Sequence, residues 1–341
     1  QNGNPTGEAD ASNELNPTYR FQHDRVQQAA YSTIAADKRQ ALHLSIGRLI
    51  LNHTSEEKLD EVIFEVTGHL NEGRLLIENP AERNHLVILN LKAGTKAKQS
   101  SAYDAALVYL KTGYELLKED SWQSDYDLTW KLYEEIQHCT YLTGDWEGAD
   151  QWSEAMLQHA KTPIEKALVL SARTRQYATI GKMRESILAA CEGLSFLGFE
   201  FLQEPTSQNV DEEVALVEKN LNGRLIADLI YLPDMDDMKA KIASQLLMEI
   251  FAAAFLSASG VMFPYLVLKS VNLAIQYGNS PETAFSYAAY GMILCGYFND
   301  TKLGYEYGKL GVSIIDKYDD VALKSRIIYV YTMFVHHWSN H

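Results

Sequence analysis

The chain has 341 residues, 46% of them apolar, and its 45 acidic against 30 basic side chains give a formal net charge of -15. That balance disfavours broad affinity for nucleic acid or an anionic membrane and leaves basic protein segments as partners. The three cysteines, Cys139, Cys191 and Cys295, lie far apart with no CxxC or Cys/His ligand spacing, which points to buried free thiols in a reducing, cytoplasmic setting rather than to a zinc site.

Residues 1–18 are rich in Asn, Gly, Pro and Ser without an apolar period, so a disordered or extended segment is expected there. The chain opens on Gln1 rather than Met, and is expected to be a piece of a longer polypeptide. From residue 24 the helical period begins. Val26, Ala29, Ala30 and Ile34 form one stripe and Leu42, Leu44, Ile46, Leu49 and Ile50 another. The polar run 36–39 between them predicts two helices rather than one. A helix over 57–70 follows, with Ser55 as its cap and acidic residues in its first turn. Helices over 81–98 and 103–117 form the next pair, in which Ala93, Ala97, Ala102 and Ala105 would allow close approach.

The pattern then recurs. Helices over 128–142 and 146–160 flank the tight turn at Gly144, and helices over 164–180 and 183–197 flank the turn at Gly181. Residues 198–222 break the regularity, with a short helix over 210–218 and another over 223–231. A second array pairs 241–257 with 262–277 and 282–298 with 302–318, and 322–338 begins a further pair. Residues 250–268 carry no formal charge, but Ser259, Gly260 and Pro264 interrupt them. Two buried helices fit better there than a membrane span, with Pro264 in the first turn of the second. Periods of 37 to 40 residues separate equivalent turns, which suits two-helix solenoid units.

Several of these segments carry a resemblance. FQHDRVQQAAY at 21–31, LHLSIGRL at 42–49, LNLKAGTKA at 89–97, AYDAA at 102–106 and YLTGDWEGA at 141–149 resemble the helical region of large multidomain signalling proteins. Those proteins join an AAA/STAND-type ATPase, a tetratricopeptide-like region, a GAF domain and a histidine or serine/threonine kinase. The resemblance implies an all-α fold, a tetratricopeptide-like right-handed superhelix of stacked antiparallel helix pairs. It divides the chain into the end of a winged-helix-like, ATPase-associated part at 19–55, a first array at 56–200, an irregular connection at 201–239 and a second array at 240–341. It also implies a non-catalytic regulatory and protein-interaction role in the cytoplasm. The expected partners are adjacent ATPase, GAF or kinase domains of the same polypeptide and a protein or peptide ligand, with no nucleic acid and no membrane span. The alternative is an effector-sensing helical domain of a STAND-type regulator, which a deep apolar cavity with a few converging polar groups would favour.

The chain contains no GxxxxGK[ST] phosphate loop, no GxGxxG cradle and no HRD or DFG kinase signature. No catalytic residue, cofactor or metal ligand is therefore expected. His336, His337 and His341 lack the spacing of a metal site. Two groups remain as candidate contacts. His23, Asp24 and Arg25 could meet a nucleotide-dependent domain, although Asp24 would also serve as a helix-start residue. Tyr297, Tyr305, Tyr329 and Trp338 could line a groove, although aromatic residues at helical spacing also pack against a following helix. Trp122, Trp130, Trp146 and Trp152 are expected to lock the interface around one hairpin, and the neighbouring carboxylates Glu134 and Glu135 do not make a general acid/base pair.

Overall fold

The computed structural model describes Ala29, residues 31–257 and residues 259–338. The described residues are helical, and the only extended pairing among them is an isolated parallel bridge between Asp234 and Asn279. Two compact units are present. The first takes in residues through Lys96 together with Tyr109–Leu117, the second Ala97–Val108 and the chain from Lys118 onward.

In the first unit α1 (Ala36–His53) packs against α2 (Glu56–Glu72), and α3 (Pro80–Gln99) contributes its residues up to Lys96. The polar run at 36–39 is the first turn of α1 instead of the break between helices, which falls at 33–35. Polar residues suit that position, because first-turn amides have no intrahelical partner. Ser55 precedes α2 in an extended conformation, but its side chain makes no capping bond, and Glu56 and Glu57 oppose the helix dipole in its place. Leu44, Leu59, Ile63, Val66, Leu70, Leu86, Leu89 and Ala93 form one core. Within it the amides of Asn71 and Asn90 exchange two 2.8 Å hydrogen bonds. Arg48 donates to both oxygens of Glu82 at 2.6 and 2.8 Å. That bond holds the Glu82 carboxyl below its ordinary range.

The second unit begins with Tyr103–Val108 of α4 (Tyr103–Leu116) and continues through the short α5 (Ser121–Ser124). Ala102 and Ala105 are exposed, unlike the buried Ala97 and Ala106, so close helix approach does not run through them. Two hairpins follow, α6 (Tyr126–Leu142) with α7 (Trp146–His159) and α8 (Pro163–Thr179) with α9 (Met183–Leu197). Their turns place Gly144 at φ 86° and Gly181 at φ 79°, the left-handed region that favours glycine. Asp145 caps α7 by accepting from the Gly148 amide, and its carboxylate fills the space a Gly148 side chain would need. Trp122 is buried and stacks on His159 at 4.4 Å, with Tyr126, Trp130 and Tyr133 around it and Trp152 against Tyr133. Trp146 stands apart from this cluster and is 49% exposed. It occupies the first position of α7, beside the turn, where no neighbouring pair covers it.

Residues 198–237 are woven into the core. After α10 (Ser207–Leu221) and the 3-10 turn Ile226–Tyr231, the Asn279 side chain donates to the Leu229 carbonyl at 2.9 Å. The Asn279 backbone bonds Pro233 at 2.8 Å and Met235 at 2.7 Å. Phe201, Val210, Val217, Leu229 and Met235 join a continuous core that reaches from Ala167 to Val330. The expected helix 241–257 is broken into α11 (Met238–Glu249) and α12 (Phe251–Phe255) at the buried Ile250. Pro264 lies in the first turn of α13 (Met262–Tyr277), as its missing amide requires. α14 (Pro281–Gly296), α15 (Thr301–Ile315) and α16 (Val321–Phe334) complete the stack, with a 3-10 turn at His336–Trp338. Among the described residues no helix is long and apolar enough to cross a membrane, and all three cysteines are buried and free.

α14 and α15 meet through glycines. A methyl group on Gly291 would lie 2.6 Å from the Gly304 carbonyl oxygen and 2.8 Å from the Gly308 amide nitrogen, both backbone atoms that cannot move aside. Gly296, in the last turn of the same helix, has open space around it. Gly291→Ala is therefore expected to destabilise the chain by about 1–3 kcal/mol. Gly296→Ala should leave stability unchanged or raise it by up to about 1 kcal/mol. Equilibrium denaturation of the two variants beside the parent chain measures both changes, and equal effects would contradict this packing.

Candidate functional site: a polar groove

The first helices of successive pairs, α6, α8 and α11, share a face in the second unit and enclose a groove of about 440 Å³. From α6 come Lys131, Glu134, Glu135, His138 and Tyr141, spaced three or four apart on one side of the helix. Ser171, Arg175 and Thr179 repeat that spacing on α8, and Gln245 of α11 closes the lining. The other sides of the same helices hold Leu132, Ile136 and Leu170 in the interior, so the fold presents the polar stripe as a consequence of burying the apolar one.

The charges in the groove are locally compensated. Glu135 is buried, with the ammonium groups of Lys98 at 2.5 Å and Lys131 at 3.6 Å. Lys131 also holds Glu134 at 2.6 Å, and Arg175 holds Glu249 of α11 at 2.9 Å. Beneath them the side chains of Gln137 and Gln176 are joined by a buried 2.8 Å hydrogen bond. These two residues come from the first helices of consecutive pairs. His138 is pushed below its ordinary pKa of 6.5 by desolvation and by Lys98, with Arg175 acting the same way, while Glu135 and Glu134 oppose the shift. Burial pushes the adjacent Cys139 thiol up to about 11, so no thiolate is available as a nucleophile near neutral pH. The groove can donate and accept hydrogen bonds along an extended chain. Among the described residues no group of His, Cys, Asp and Glu could hold a metal ion.

The sequence-derived candidates lie elsewhere. His23, Asp24 and Arg25 fall outside the described residues, as does His341. The four aromatic candidates do not share one wall. Tyr297 lines an apolar hollow with Phe255, Phe263 and Met292. Tyr305 packs with Tyr331 and His336, Tyr329 lies 6.2 Å from Phe334, and Trp338 lies 5.1 Å from His337. The groove residues were missed because each is an ordinary surface type. The available signal was their three- and four-residue spacing on the first helices of consecutive pairs.

In comparisons with known proteins, no family model matches the chain and no solved structure matches it. The chain is similar to the hybrid signal transduction histidine kinase G of Dictyostelium discoideum, with 24% identity over an alignment of 366 residues. That alignment takes in 95% of this chain and 11% of the kinase, so the chain spans about a tenth of that relative's length.

The His138 environment gives a signed expectation. Lys98→Met removes a cation that disfavours imidazolium and should raise the His138 pKa, whereas Glu135→Gln removes a favourable carboxylate and should lower it. In the parent chain the neutral ring's contribution to stability is full above about 6.5 and is lost as pH falls through the lower folded value. Imidazole carbon shifts followed by NMR from about pH 4 to 8 test this. Shifts of the same sign in both variants would refute the assignment.

Proposed function

We propose that this chain is a non-catalytic regulatory and protein-interaction module of a signalling protein. The similarity to a signal transduction histidine kinase over 95% of the chain supports a signalling role, and the small share of that relative it spans supports a part within a larger assembly. The stacked helix pairs support the tetratricopeptide-like, right-handed superhelical reading. In that reading the module couples nucleotide-dependent domains to sensor or output domains of the same polypeptide, with residues 19–55 closing an ATPase-associated part and two arrays at 56–200 and 240–341. His23, Asp24 and Arg25 belong to the contact with the nucleotide-dependent side, and the work of the module is cytoplasmic.

The observation that carries this reading is the groove on α6, α8 and α11. A reaction centre needs a nucleophile or acid/base group held in a defined relation to a partner. Here the charges neutralise one another and the thiol is raised beyond use. A hydrated face of alternating donors and acceptors instead suits an extended polypeptide segment, whose backbone offers the same alternation. The net charge of -15 favours a basic or neutral segment over an acidic one.

The test is capture of the polypeptide segments that flank this chain in its gene, in cis or in trans, followed by titration. Glu134→Gln and Glu249→Gln together, the carboxylates paired with Lys131 and Arg175, should weaken binding at least about tenfold. Lys219→Gln on α10, an exposed position, should leave it unchanged. Absence of any contact with the flanking segments, or equal effects of the groove and control variants, rejects the proposal.

A further inference from the structure

A second hollow, separate from the groove, lies where the repeat pattern breaks. The end of α9, the segment Gly198–Phe201, and helices α10, α11 and α13 surround a cavity of about 170 Å³. Its walls are apolar: Leu194, Phe199, Phe201, Ala243, Leu247 and Leu273. The exposed side chains of Glu200 and Gln276 stand at its rim.

One polar cluster enters this apolar lining. Glu213 of α10 is buried and meets Lys269 of α13 at 2.8 Å through one oxygen. Its other oxygen accepts from the Asn272 amide at 2.8 Å, and the same amide donates to the Glu213 carbonyl at 3.1 Å. Asn272 is fixed in turn by Asn220, which donates to its oxygen at 3.0 Å. Desolvation works against the Lys269 charge, but its contacts with Glu213 and Tyr265 outweigh that and keep it protonated. Among the described residues Glu135 and Glu213 are the only buried carboxylates. The first belongs to the groove, and the second forms the floor of this cavity. A buried ion pair adds little stability compared with an apolar pair of the same shape, so its position in the wall of a cavity asks for another reason.

The floor is specific in what it offers. Both Asn272 amide protons and both Glu213 oxygens are engaged, and the charges of Glu213 and Lys269 cancel. An ammonium group has three donors, and Glu213 takes one of those on Lys269 at 2.8 Å, with the Tyr265 ring 5.5 Å away. What remains is donor capacity on Lys269 in an apolar hollow whose buried charges cancel. A ligand carboxylate would face Glu213 and Glu200, and a ligand ammonium would face Lys269. The volume is close to that of an apolar cavity that admits benzene, about 150 Å³.

We propose that this cavity binds a small neutral amphiphile, an apolar body with a single hydrogen-bond acceptor such as a hydroxyl or carbonyl oxygen directed to Lys269. The ligand contacts α9, α10, α11 and α13 at once and is unrelated to the polypeptide bound in the groove.

Three probes of one shape and different charge test it on the full chain: benzyl alcohol, benzoate and benzylamine, titrated by saturation-transfer NMR. Benzyl alcohol is expected to bind with a Kd on the order of 1 mM, typical of so small a ligand, and the two charged probes at least about tenfold more weakly. Leu216→Trp, a partly exposed cavity-lining position on α10, should fill the space and abolish binding while thermal unfolding stays cooperative. Lys269→Met leaves Glu213 uncompensated and should turn the preference toward benzylamine. No saturable binding of benzyl alcohol, equal or tighter binding of either charged probe to the parent chain, or binding that survives Leu216→Trp overturns the proposal. Capture of flanking segments through the groove is a separate readout, so failure of one proposal is distinguishable from failure of the other.

Discussion

A helix pair in this chain has apolar surface on two sides, and the whole structure depends on neighbours covering both. α8 packs against its own partner α9, against α7 of the preceding pair and against α11 of the following one. α14 similarly meets α13, α15 and α16. The result in the second unit is a core without a natural stopping point, running from Ala167 to Val330. Stability in such an array is the sum of intrinsic pair terms and interface terms. The interfaces are therefore where the sequence is least free. The glycines between α14 and α15, the Asn279 hydrogen bonds to 229–235 and the Trp122 cluster are all interface devices.

The same constraint decides where polar groups can go. Helices that bury one stripe and face a neighbour on each side keep a single narrow face for water, and on α6 and α8 those faces align because the pairs repeat in phase. The groove is the sum of these leftover faces. Its buried carboxylate is tolerated because two lysines reach it. Residues 198–237 depart from that rule. They do not form a standard pair, so they leave space beside α11 and α13 that no repeat partner fills, and the Glu213–Lys269 pair lies in that space. Regular packing thus produces a hydrated, charge-compensated surface, and irregular packing produces a compact apolar enclosure with a polar floor.

Much of the fold was legible because hydrophobic period and turn chemistry act locally. Helix α9 runs from Met183 to Leu197 as the sequence predicts, and the turns at Gly144 and Gly181 require the conformations their glycines announce. The described parts of the segments that carry the resemblance include packing and capping residues. Leu44 and Gly47 are interior, Asn90 and Ala93 are buried, and Asp145 caps α7. They identify a scaffold rather than a site. The break at Ile250 was not legible, because a run of Ala, Phe and Leu continues the helical pattern without a stop signal, and the turn that ends α11 places Ile250 in the buried interior. Neither hollow was legible. Lys98 and Glu135, or Glu213 and Lys269, are unremarkable in sequence and acquire meaning only when distant helices place them 2.5 and 2.8 Å apart.

The two hollows share one element. Ala243 and Leu247 of α11, four apart, face the cavity, while Gln245 lines the groove and Glu249 binds Arg175 in its wall. The two residue pairs are offset by two positions, which on a helix places them on nearly opposite sides. α11 is therefore the partition between the sites. A partition transmits occupancy only if it has two arrangements that the ligands distinguish. Coupling through it would be reciprocal by thermodynamic necessity. A cavity ligand that tightens the groove for its polypeptide must itself be held more tightly when that polypeptide is bound, and a rigid α11 leaves the two sites independent.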